Sequence, residues 1–165
     1  YGMILSSLSL GYVYFDGMNQ TMADQCMNDT LKVYGYVKSN WASPSTNSDY
    51  SMLLRGYSNA WKAFNQSGDV VNASEVLGLI ENYSHVFISA QGGSGAWGGC
   101  GAVQQHLKRS ESILFAYEST GNSTYLTAVS DNVEYILNNL WIQIPVVLFG
   151  VLVIMSFMRS IKCNL

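Results

Sequence analysis

From Leu140 to Met158 the chain reads LWIQIPVVLFGVLVIMSFM, nineteen residues without a charge. At about 1.5 Å of helical rise per residue the run spans roughly 28 Å, close to the hydrocarbon thickness of a bilayer. Twelve of these residues are Leu, Ile, Val or Phe, each favouring insertion by about 0.3–0.6 kcal/mol. Gln143 and Pro145 lie near one end, where polar residues cost least. The run predicts a transmembrane helix over 140–158 and confines the rest of the chain to one side of it or the other.

Charge placement assigns the sides. Arg159 and Lys162 follow the run directly, whereas residues 131–139 carry two acids and no base. The positive-inside rule then predicts a cytoplasmic tail over 159–165 and an extracytoplasmic domain over 16–139. Six N-x-S/T sequons, at Asn19, Asn28, Asn65, Asn72, Asn82 and Asn122, all fall in that outer part. Their number is roughly threefold above what the Asn, Ser and Thr content gives by chance, so they are read as glycosylation sites. Of these, Asn122 lies in a predicted tight turn and Asn19 close to the expected membrane surface.

Only 12% of residues are charged, about half the usual share for a soluble domain. The predicted outer domain has eleven acidic and six basic side chains without runs, a balance that disfavours nucleic acid. An oxidising exterior would pair Cys26 with Cys100, closing a long loop worth about 4 kcal/mol in the chain-entropy model; two buried thiols are the alternative. Cys163, beside Lys162 in the predicted tail, is a candidate for palmitoylation.

The first fifteen residues, YGMILSSLSLGYVYF, are uncharged but too few to span a bilayer. They fit the outer part of an N-terminal membrane helix, the apolar stem of a filament subunit, or a buried helix of the outer domain. The aromatic set Tyr12, Tyr14 and Phe15 before Asp16 favours the first. Phe15, Met18, Met22 and Cys26 continue at helical spacing, which predicts one stem helix reaching about Ser39. Residues 40–48, NWASPSTNS, read as a loop.

Further helices are predicted over 49–65, stopped by Gly68; from Ala73, with Asn72 as cap and Glu75 reaching back to it; over 102–119; and from Ser123 straight into the membrane run, with a kink at Pro145. The segment AYESTGNSTYLTAV resembles the helix-turn-helix units of tetratricopeptide-like and α/α-toroid proteins. That resemblance covers some 20 residues and implies only a helical hairpin.

Residues 92–101, GGSGAWGGCG, contain six glycines around Trp97 and Cys100. They predict a long loop and lack the spacing of a phosphate loop. The loop is either a connector held by the disulfide or a partner-contact loop with Trp97 as its aromatic anchor.

Catalytic chemistry finds little support. His85 and His106 have no companion at ligand spacing, which disfavours a metal site. Ser94 has no base that the sequence places beside it, and Glu111 and Glu118, seven apart on one helix, read as solvated side chains.

The expected fold is therefore mainly α: a membrane-anchored extracytoplasmic helical bundle with a C-terminal transmembrane helix and an N-terminal membrane segment over 1–15. The expected function is non-catalytic, an accessory or structural subunit of a membrane or envelope assembly, without a cofactor. Its expected partners are other membrane proteins, a second copy of itself and the lipid bilayer, but not nucleic acid. A pilin-like filament subunit and a sensor or ligand-binding ectodomain are the alternatives.

Overall fold

The computed structural model describes residues 1–140, which form six α-helices and no strand. The membrane run beyond Leu140 and the tail with Cys163 lie outside the described residues, and no helix among those described is long and apolar enough to cross a membrane.

The helices are α1 (Gly2–Phe15), α2 (Gln20–Trp41), α3 (Tyr50–Ser67), α4 (Val70–Ser89), α5 (Val103–Thr120) and α6 (Thr124–Tyr135), the last passing directly into a π-helical turn, Ile136–Leu140. Three short turns join α1 to α2, α3 to α4 and α5 to α6 at one end of the bundle, here the far end. The 42–49 loop and the 90–102 loop lie at the other, where the chain also reaches Leu140; this is the exit end.

Two expectations for the N-terminal third are corrected. Residues 1–15 form a bundle helix, packed against α3 and α2, with Gly2, Leu5, Ser6, Ser9 and Tyr12 buried. This helix is not long enough to cross a membrane by itself, and it packs into the bundle instead of projecting as a stem. Nor does one helix run on to Ser39. The chain reverses at Asp16–Asn19, where Gly17 has φ +78° and the Asn19 side chain accepts from the Met22 amide at 3.2 Å to start α2. The Asp-Gly turn and the Asn cap were signals in the sequence, overridden by a hydrophobic spacing that happens to continue through them.

Helix α3 is the central element, in contact with α1, α2, α4 and α5. Its close approach to α1 depends on paired glycines: a Cβ on Gly56 would stand 2.7 Å from the Gly2 carbonyl oxygen. Gln66 bonds Asp16 at 2.7 Å where the two helices end together. On the opposite side Arg55–Glu111 (3.0 Å) and Lys62–Glu118 (2.6 Å) bridge α3 to α5, both cations lying over the Phe115 ring. The two glutamates are thus partnered across helices. Each such partly exposed pair contributes at most about 1 kcal/mol and mainly sets register.

The core is aromatic-rich. Tyr34, Tyr57, Phe64, Tyr83 and Phe87 pack edge to face with centroids 5.4–6.4 Å apart, around Leu54, Val76, Ile80 and Ile113. Each fully buried aliphatic side chain here contributes roughly 1.5–3 kcal/mol. The helical spacing of Val76, Leu79, Ile80, Tyr83 and Phe87 predicts one buried stripe; all are buried except Leu79, which is half-buried. However, α4 starts at Val70, because Asp69 rather than Asn72 is its cap, accepting from the Asn72 amide at 3.1 Å. Glu75 is drawn away to Lys38 at 2.8 Å and the Tyr34 hydroxyl at 3.0 Å. Gly68 ends α3 in the left-handed conformation as predicted.

Since the α1–α3 contact has no room for a side chain, Gly56→Ala should destabilise the domain by about 1–3 kcal/mol. A lowered urea midpoint with unchanged slope would report it.

Candidate functional site

Arg109 organises the exit end. Its side chain is completely buried in the second turn of α5, yet no carboxylate among the described residues pairs with it. Its charge is met instead by the carbonyls of Gly98 (2.6 Å from Nη1) and Thr46 (2.8 Å from Nη2), by Ser51 Oγ (3.3 Å from Nε), and by the Phe87 ring 4.1 Å away. Burial lowers its pKa from the ordinary value. Because Thr46 and Gly98 belong to different loops, one guanidinium fastens both to the bundle.

A second buried chain of hydrogen bonds holds the glycine-rich loop. Trp97 Nε1 donates to Ser110 Oγ at 2.9 Å, and Ser110 Oγ donates to Asn132 Oδ1 at 3.0 Å. The two Asn132 amide hydrogens go to the Gly95 carbonyl (2.9 Å) and to His106 Nδ1 (2.9 Å). The amide donates, and the Trp97 backbone amide also points at Nδ1 at 3.4 Å, so Nδ1 accepts and the ring proton sits on Nε2. Gln91 Nε2 adds bonds to Gly95 O and Ala128 O. Gly95 could not carry a side chain, since its Cβ would collide with the Asp131 carbonyl of α6.

Two sequence expectations are corrected here. Trp97 is 1% exposed and serves as an internal anchor, so it is not available as a partner contact. Cys26 and Cys100 are both free. Cys26 packs on α1 near Gly11, whereas Cys100 lies in the glycine-rich loop against the main core, so the fold keeps them apart. The loop is pinned, but by Arg109, Trp97 and Asn132 instead of a disulfide. Burial pushes the Cys100 thiol up.

On the surface of this loop lies a polar cleft of about 260 Å³ lined by Gly92–Gly95, Asp131, Glu134, Tyr135, Asn138 and Asn139. It combines two carboxylates, two side-chain amides, a hydroxyl and a phenol, a set able to hydrogen-bond a hydroxyl-rich or cationic molecule. Ser94 lines it. A second, mainly apolar cleft of about 310 Å³ lies between Tyr1, Met3, Trp41, Asp49, Tyr50 and Met52. Beneath it, the Tyr57 and Tyr83 hydroxyls both donate to the Trp41 carbonyl. Burial pushes the Tyr57 phenol up to about 12, and burial together with the neighbouring Glu75 raises Tyr34 further, so these phenols are structural donors at neutral pH.

Among the described residues no group of three His, Cys, Asp or Glu side chains could hold a metal ion. His85 is exposed, while His106 is buried and fully engaged. Of the sequon asparagines, Asn19, Asn28, Asn65, Asn82 and Asn122 are exposed; Asn72 is half-buried, with its amide donating to Asp69 Oδ2 at 2.6 Å. No protein family, no curated protein and no solved structure matches this chain.

The His106 arrangement has a pH signature. Burial lowers its folded pKa below the ordinary 6.5, so the unfolded chain takes the proton more readily. The stability is present above about pH 6.5 and is lost, by at most about 1.4 kcal/mol per unit, as pH falls from 6.5 toward the depressed folded value. Urea midpoints from pH 7.5 to 5 should therefore decline, and His106→Gln, whose amide oxygen can still accept from Asn132, should remove the His106 contribution to that slope.

Proposed function

We propose that this chain is a non-catalytic, membrane-anchored glycoprotein, an accessory or structural subunit whose outer domain contacts other proteins of a membrane or envelope assembly. The observation that carries the reading is the outward face of α1. This helix is uncharged and apolar apart from three serines, but the domain uses only the side turned to α3 and α2. Met3, Ile4, Leu10 and Tyr14 remain 40–63% exposed, and Met18 in the following turn and Met22 at the start of α2 are exposed too. A largely apolar helix is ordinarily covered, and exposed apolar surface of this kind marks a contact site. The buried polar side chains described above are spent on holding loops, which fits a scaffold better than a reaction centre.

A ligand-binding ectodomain is the second reading, favoured by the polar cleft beside Asp131 and Glu134. The membrane tether in both readings is the 140–158 run, with the sequons as the outward marker.

Extraction of native membranes in mild detergent should give the chain in fixed stoichiometry with an unlike polypeptide. Leu10→Glu should release that partner by at least tenfold without lowering the urea midpoint, because the side chain points away from the core. Recovery of the same uncomplexed chain before and after the substitution would sink the reading.

A further inference from the structure

Four of the six sequons lie at the end of the bundle opposite the two clefts. Asn19 lies in the α1–α2 turn, Asn65 in the last turn of α3, Asn72 in the first turn of α4 and Asn122 in the α5–α6 turn, all at the far end. Asn28 and Asn82 lie on helix sides. Neither exit-end loop holds a sequon, although 42–49 has three Ser, a Thr and Asn47. Both clefts open at the exit end or just beside it.

The exit end also carries a cluster of part-exposed aromatic rings. Tyr1 stands 4.8 Å from Tyr36 and 5.2 Å from Trp41, and Tyr36 stands 5.6 Å from Trp41. Tyr1 is 59% and Tyr36 47% exposed, with Met3 at 48% beside them. Rings with one apolar face and one polar edge are the side chains that partition into the headgroup region of a bilayer.

Chain length makes the placement tight. Helix α6 and the π-helical turn are continuous to Leu140, and the nineteen-residue apolar run begins at that same residue. No linker separates domain from run, so a run that spans the bilayer brings the exit end to within the headgroup layer, roughly 5–8 Å deep on each side.

From these observations we infer that the exit end is seated in the headgroup layer of the bilayer, with Tyr1, Tyr36 and Trp41 as its interfacial contact and the four turn-end sequons pointing away from it. The inference rests on the reading of 140–158 as a membrane span. Asp49, Asp131 and Glu134 lie at this end against exposed Lys108, so the preferred surface is zwitterionic. Tyr14, exposed at the far end beside the Asn19 sequon, belongs to the protein-contact strip.

The test uses the full chain in phosphatidylcholine vesicles whose acyl chains are brominated close to the headgroup, comparing it with Trp41→Phe and Trp141→Phe variants by tryptophan emission. Trp41→Phe keeps the backbone carbonyl that Tyr57 and Tyr83 bind, so the fold should persist. The Trp41-dependent emission should fall at least twofold with shallow bromines and recover when about a third of the lipid is phosphatidylserine. Quenching at Trp141 with Trp41 open to aqueous acrylamide would show the domain standing off the bilayer and overturn this inference alone. Trp41 shielded from both quenchers would assign the cluster to a protein, a second copy included, and also overturn it. Loss of quenching at both tryptophans would overturn the membrane span itself.

Discussion

A guanidinium buried without a carboxylate has to find its compensation in neutral acceptors, and that requirement at Arg109 shapes the exit end of this domain. The Thr46 carbonyl and the Ser51 hydroxyl come from one stretch of the chain and the Gly98 carbonyl from another, distant one. Desolvating a charge is costly unless such partners are in place together, so the two loops must assume their folded positions at once. The Phe87 ring completes the enclosure. The Trp97–Ser110–Asn132–His106 chain extends the same logic along α5 and α6, with each donor matched to one acceptor. A loop with six glycines thereby becomes a fixed wall for the polar cleft.

The other half of the molecule is governed by shape. Gly2 and Gly56 let α1 lie close on α3, and the aromatic core between α2, α3 and α4 fills the space left by the crossing helices. Because α1 is sandwiched rather than enclosed, its apolar outer side stays open. This asymmetry separates the domain into surfaces with different chemistry: an apolar lateral strip, a far end bearing most of the sequons, and an exit end with aromatic rings and both clefts. The proposed tethering would let the domain meet protein, water and lipid through separate faces.

Much of the helical architecture was legible because the governing patterns are local. Gly68 stopping α3, the stripe from Val76 to Phe87, and the hairpin around Gly121 follow from spacing and cap chemistry within a few residues. The exceptions are instructive. An uninterrupted hydrophobic spacing hid the turn at Asp16–Asn19, and the cap of α4 went to Asp69, since Glu75 has a better partner in Lys38, 37 residues away. Trp97 could be read as part of a connector or as a surface anchor, and the sequence does not show that its indole has a buried hydroxyl partner on α5. The pairing of Cys26 with Cys100 was a deduction from parity and compartment, which carry no information about distance.

The amino-acid order by itself determined a mainly helical chain, its two long loops and its sequons, its low charge and the long apolar run after the domain, because each is a property of neighbouring residues. Only the tertiary structure decided that residues 1–15 belong to the bundle, that the thiols are apart, that Arg109 joins two loops and that four of the six sequons lie at the end away from Leu140. Those facts depend on which helices lie side by side and in which direction, and contacts between residues 40 or 60 positions apart leave no periodic trace along the chain.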